Sequence, residues 1–181
     1  MIEHYGNCNH LFDWDSVIKD IEHQQPTYIG PSHKEGDMIP GLSEVTDLWK
    51  KGGYETWDKG GSVGWDMFVS GKNFDESIAK KFGEYVGIEN YTSCWISRIQ
   101  PGYFAPQHWD VNDNEVELSK VPDKIRFHCH IDKPRWGHII IVDDTCCYNQ
   151  EQGAVYKWSS RKLWHAGTNC GLVPKYLFNF W

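Results

Sequence analysis

Apolar residues recur at helical spacing in the first half of the chain and alternate with polar ones in the second. Trp14, Val17, Ile18 and Ile21 form one stripe behind Asp13, a residue type that caps helix N-termini, and Pro26 stops the run. Ser43 to Lys51 predicts a short second helix with Val45, Leu48 and Trp49 inward and Gly52-Gly53 closing it. Asn73-x-x-Glu76 reads as a capping box, opening a third helix that carries Ile78, Phe82 and Tyr85. Glycines at 52, 53, 60, 61 and 64 mark loops, and Trp65 to Val69 reads as a strand.

Beyond residue 90 the period changes to two. Ser93 to Gln100 reads as a strand ended by Pro101-Gly102. From Lys124 to Ile131 the chain alternates strictly: Lys124, Arg126, His128 and His130 share one face, and Ile125, Phe127, Cys129 and Ile131 the other. Either the first face is solvated, or it lines a cavity that holds cations and imidazoles. Further strands are predicted at His138 to Val142, Gly153 to Trp158 and Lys175 to Trp181. In the last, Lys175, Leu177 and Asn179 face one way and Tyr176, Phe178 and Phe180 the other. There is no repeat, low-complexity tract or linker. We therefore expect a mainly β domain spanning residues 1–181, with a helical support layer over 1–90 on a β core over 91–181.

Composition narrows the function classes. Acidic residues outnumber basic ones 25 to 18, for a net charge of −7, which argues against nucleic acid as partner. No apolar run approaches the roughly 20 residues of a membrane helix, and the N-terminal residues lack a signal-peptide core, so the expected location is cytoplasmic. The six cysteines (Cys8, Cys94, Cys129, Cys146, Cys147, Cys170) contain no C-x-x-C pair, so reduced thiols are expected rather than disulfides or a thiolate zinc site. Ten Trp, nine Tyr and eight Phe are expected mostly in the core, with some walling a cleft.

The candidate chemistry starts at His108-Trp109-Asp110. Residues two apart on an extended chain point the same way, so the imidazole and the carboxylate can meet one metal. His165 can supply a third ligand. Two His and one carboxylate form the facial set of non-haem Fe(II) oxygenases, which leaves coordination positions open. Lys175 follows His165 by ten residues, at the start of the last strand, where a cation can reach the same cavity, although a lone lysine taken by itself reads as a surface residue.

Ser97-x-x-x-Pro101-Gly102, His108-x-Asp110, Lys124-x-Arg126-x-His128 and His165 with Lys175 ten residues on together resemble the 2-oxoglutarate- and Fe(II)-dependent oxygenases. Within them the aspartyl/asparaginyl β-hydroxylase branch is most similar. The resemblance covers about residues 93–181. It implies a double-stranded β-helix, a cupin-like jelly roll, with the N-terminal helices packed on one sheet. It also implies Fe(II), 2-oxoglutarate as cosubstrate and O2. His108, Asp110 and His165 would bind iron. Lys175 would pair with the far carboxylate of 2-oxoglutarate, helped by the Ser97 hydroxyl. Arg126 and His128 would face the cosubstrate or substrate, and Lys124 would be a substrate-side cation. The chain departs from familiar animal members of that branch in two ways: it has the carboxylate Asp110, and lysine stands where they usually carry arginine.

The expected activity is hydroxylation of a C–H bond, on an aspartyl or asparaginyl residue or a related acidic target, in a peptide or a small molecule. The competing readings are an oxygenase of another branch, prolyl or small-metabolite, and a non-catalytic β-sandwich that uses its aromatics to bind carbohydrate or protein.

Overall fold

The computed structural model describes residues 1–30, 43–108, 125–159 and 163–181. Of the residues singled out above, Asp110 and Lys124 lie outside the described residues.

Two antiparallel sheets face each other. The larger runs β1 (Glu3–Asn7), β9 (Ala154–Ser159), β6 (Ile125–His130), β11 (Lys175–Phe180), β4 (Cys94–Ile99), β3 (Trp65–Val69) and β2 (Tyr28–Gly30). The smaller runs β5 (Phe104–His108), β10 (His165–Asn169), β7 (His138–Val142) and β8 (Thr145–Tyr148). From β4 onward each strand crosses to the opposite sheet, except at the β7–β8 hairpin. This winding is the double-stranded β-helix, with the crossings made by β4–β5, β5–β6, β6–β7, β8–β9, β9–β10 and β10–β11.

The large sheet is covered on both faces, which explains why β6 and β11 bury nearly every side chain. Outside it lie α1 (Trp14–Glu22) and α3 (Glu76–Val86). Trp14, Ile21, Ala79 and Phe82 pack there against Phe127, Cys129, Phe178 and Phe180. The Phe82 ring sits 4.8 Å from Phe178 and 5.2 Å from Phe180. Gly83 permits the close approach: a Cβ there would meet Ile88 O at 2.5 Å and the Phe180 ring at 3.3 Å. Inside, Leu177 and Trp158 pack on Ile140, Val142 and Cys147 of the small sheet. The alternation of β11 thus divides the two cores, with Phe178 and Phe180 toward the helices and Leu177 toward the barrel.

The helices form where their apolar stripes lie, with one change of cap and one of facing. Asp13 caps α1 by accepting from Ser16 N at 3.1 Å. α3 is capped by Asp75, which accepts from Ser77 N at 2.8 Å, not by Asn73. Asn73 Oδ1 instead accepts from Val69 N at 2.9 Å, so it serves the turn before the helix. In α2 (Ser43–Lys51) Trp49 is buried but Leu48 is 47% exposed, because only one side of this short helix meets the sheet.

The first half forms its three expected helices and the expected strand at Trp65–Val69. It adds β1, β2 and β3 to the two edges of the large sheet. All six cysteines are free, and Cys8 Sγ lies 3.6 Å from Cys129 Sγ beneath α1 and α3. Among the described residues no helix is long and apolar enough to cross a membrane.

Candidate active site

His108 ends β5 and His165 opens β10, and the two are paired across the ladder of the small sheet. Both are buried, and their ring centroids lie 4.3 Å apart. Each ring is oriented by a nearby backbone carbonyl: His108 Nδ1 is 2.7 Å from Pro106 O, and His165 Nδ1 is 3.3 Å from Leu163 O. A carbonyl only accepts, so in each neutral ring Nδ1 carries the proton and Nε2 keeps the lone pair. Trp65 stacks on His108 with 12° between planes, and the Trp49 edge meets it at 5.7 Å. Trp49 is held by its own bond from Nε1 to Gln107 O, at 3.0 Å. Helix α2 therefore braces the proximal histidine.

The cationic face of β6 points into the barrel. Arg126, His128 and His130 are all buried. Arg126 Nη1 donates to His165 Nε2 at 3.0 Å, and Nη2 donates to Asn179 Oδ1 at 3.0 Å. The same Asn179 oxygen accepts from His128 Nδ1 at 3.1 Å, while Asn179 Nδ2 donates to Ser97 Oγ at 3.1 Å. Ser97 Oγ also accepts from Trp95 Nε1, at 3.0 Å, so it stands with Asn179 and Trp95. Asn179 is the hub of this network. Strand alternation from Lys175 placed it on the interior face, but nothing local in the sequence marked it as a functional residue.

Three tryptophan rings surround the Arg126 guanidinium, those of Trp95 at 5.2 Å, Trp158 at 5.6 Å and Trp181 at 5.7 Å. Sequence reasoning missed this cage, because its members come from three separate segments.

Lys175 is fully buried, and its Nζ donates to the carbonyls of Ile139 and, at 3.4 Å, Thr168. Gly167 lies beside it: a Cβ there would meet Ile99 Cδ1 at 3.3 Å and Nζ at 3.9 Å. Burial pulls the Lys175 pKa down to about 7, although the Asp132 carboxylate partly offsets this. The histidines respond in the same direction. Burial, then the neighbouring His130, Arg126 and Lys175 charges, hold His128 well below the ordinary imidazole range. Burial, then Lys175, brings His130 to about 3. Both are therefore neutral at pH 7.

His138, which the sequence analysis left without a role, belongs to the same end of the barrel. Its Nδ1 lies 2.8 Å from Asp132 Oδ2, and its Nε2 donates to Val173 O at 3.1 Å. Asp132 Oδ2 accepts from Tyr176 N at 3.1 Å and so ties this pair to the residue after Lys175.

Among the described residues the structure brings together His108, His165, Arg126, His128 and Ser97 through this network, with Lys175 on the same interior face of β11. No group of three His, Cys, Asp or Glu side chains gathers as a metal site among the described residues. The arrangement sets two imidazoles side by side, the ligand type divalent ions take, with Arg126 Nη1 on the Nε2 of His165, and it buries a lysine suited to an anion. Buried polar atoms are left over for a polar guest: His128 Nε2, His130 Nε2 and Trp158 Nε1 have no hydrogen-bond partner among the described residues.

No family model matches the chain, and no curated protein matches it. Solved structures do resemble it. A viral collagen prolyl hydroxylase of Paramecium Bursaria Chlorella virus-1, in complex with 2OG, aligns over 79% of this chain and 92% of that one, with 20% identity and a TM-score of 0.48. A prolyl-4-hydroxylase of Pseudomonas putida aligns over 93% of this chain and 97% of that one, at 11% identity and a TM-score of 0.49. A 2OG-Fe(II) oxygenase family oxidoreductase of Burkholderia pseudomallei aligns over 98% and 93%, at 13% identity and 0.47.

Proposed function

We propose that this protein is a non-haem Fe(II)- and 2-oxoglutarate-dependent dioxygenase that hydroxylates a C–H bond. The carrying observation is the pairing of His108 with His165 across one ladder, with each Nδ1 turned to a backbone carbonyl so that Nε2 is the acceptor nitrogen of each ring. In this reading His108 and His165 bind iron together with Asp110, the carboxylate read from the sequence. When bound, iron and 2-oxoglutarate together activate O2, and the keto acid leaves as succinate and CO2.

The chain's own part is position and dryness. Pro106 O and Leu163 O take the Nδ1 proton of each ring, so Nε2 is the ligating nitrogen. Lys175, buried on the barrel face of β11, is the partner for the far carboxylate of 2-oxoglutarate. A buried carboxylate is costly without such a cation, and a buried lysine gains from the same pairing. Ser97, Arg126 and His128 line the cosubstrate side through Asn179. Trp95 and Trp158, both buried, exclude water from it. In the same reading Lys124 is the substrate-side cation, and the target is an aspartyl or asparaginyl residue or a related acidic group.

Consumption of O2 that requires both Fe(II) and 2-oxoglutarate, with succinate formed in step, tests the class. A protein that binds neither ligand and consumes no O2 is the binding module instead. A panel of aspartyl, asparaginyl and prolyl peptides together with small acids tests the target. Turnover of the acidic or asparaginyl members is expected. Turnover confined to prolyl, neutral or basic targets overturns that part and leaves the oxygenase class standing.

A further inference from the structure

The Arg126 guanidinium and a metal ion compete for the same lone pair. His165 Nδ1 is committed to Leu163 O, so Nε2 is the ring's acceptor, and Arg126 Nη1 lies 3.0 Å from it. An imidazole-bound divalent ion sits roughly 2.0–2.1 Å from its nitrogen along that lone pair. Nη1 would then lie about 1 Å from the ion, so the two cannot occupy the direction together. Among the described residues, further contacts hold Arg126 inside the barrel once it leaves Nε2. Its Nη2 keeps Asn179 Oδ1 at 3.0 Å, and the rings of Trp95, Trp158 and Trp181 hold the guanidinium from the sides. Such a cage attracts a cation over a range of positions, because ring faces fix no single hydrogen-bond geometry.

We infer that Arg126 is a displaceable internal cation. It holds the His165 ring in its ligating tautomer in the metal-free protein, and it withdraws toward Asn179 within the tryptophan cage when metal binds. This rests on the iron-site reading of His108 and His165. Arg126 is thus a positioning residue that sets metal affinity: it lowers the affinity by competition and repulsion, and it keeps the site ordered until the metal arrives.

Manganese(II) binding to the full chain, measured by calorimetry, tests the inference. Removing a hydrogen bond from a charged donor that metal must break is expected to tighten Mn(II) binding to Arg126→Met by roughly ten- to a hundredfold. Arg126→Lys keeps the charge but cannot bridge His165 and Asn179 at once, so it binds Mn(II) more tightly than wild type by a smaller factor; it carries the test if the Met variant fails to fold. Zinc(II), which has no d–d quenching, should change the tryptophan emission of the wild type, and less so that of Arg126→Met, where no guanidinium moves in the cage. Folded Arg126 variants with equal or weaker Mn(II) affinity overturn the inference while His165→Ala still abolishes binding. If His165→Ala leaves Mn(II) affinity unchanged, the iron-site reading itself fails and the inference falls with it.

Discussion

Lys175→Met is expected to weaken 2-oxoglutarate binding to the Fe(II)-loaded protein by about 2–4 kcal/mol, the cost of removing a charge-assisted pair from a desolvated site. Metal affinity is nearly unchanged, since the substitution leaves His108 and His165 alone. The pH dependence carries a second signature. With its pKa near 7 in the ligand-free protein, Lys175 is charged below that pH and neutral above it. A bound carboxylate favours the charged form, so above pH 7 binding must take up a proton. Affinity should fall roughly tenfold per pH unit there in the wild type and stay flat in Lys175→Met.

Stability moves the opposite way. The Lys175 pKa is lower in the folded chain than the ordinary 10.5, so between about 7 and 10.5 the unfolded chain binds more protons. The ligand-free protein therefore gains stability as pH rises through that window. Lys175→Met removes this slope and makes the ligand-free chain more stable at pH 6. Anaerobic titrations and thermal melts of both proteins across this range check the pair of effects. Equal 2-oxoglutarate affinities at neutral pH would remove Lys175 from the site.

His108→Ala and His165→Ala are each expected to abolish metal binding. The loss should exceed the roughly 10–100-fold that deletion of an outer-shell partner costs. Folding is affected far less, because neither ring belongs to the two main apolar clusters of the large sheet and barrel. Calorimetric titration with Mn(II), beside far-UV circular dichroism of the same samples, separates the two effects. A variant that unfolds along with losing metal would instead mark a structural metal site.

Strand periodicity made much of this architecture legible. The two-residue alternation of Lys124 to Ile131 placed Arg126, His128 and His130 on one face, and they do line the barrel. The alternation from Lys175 separated Leu177 and Asn179 from the aromatics that pack under the helices. What stayed hidden has identifiable physical causes. β1 reads as a polar N-terminus because an edge strand buries only one flank, and β2 is three residues long. β8 lacks a continuous apolar run, and its hairpin turn depends on Asp143 at φ 54, a conformation only some residue types adopt readily.

Asn73 and Asp75 are both capping residue types. Backbone position decided between them, and composition does not encode it. Asn179, the tryptophan cage and the Arg126–His165 bond depend on packing between strands far apart in sequence, where no local pattern points. The spacing of His108, Asp110, His165 and Lys175 was visible from the start, whereas the brace that Trp49 and Trp65 place on His108 appears only once α2 and β3 meet β5.

The central claim is that one barrel holds iron and 2-oxoglutarate together. Its most direct test is an anaerobic titration of the full chain with Fe(II) and 2-oxoglutarate, followed in the visible region. A charge-transfer band that needs both ligands, saturates at equimolar iron and is lost in His165→Ala is expected. Absence of the band in folded wild-type protein at saturating ligand, or a band that His165→Ala retains, would contradict that claim.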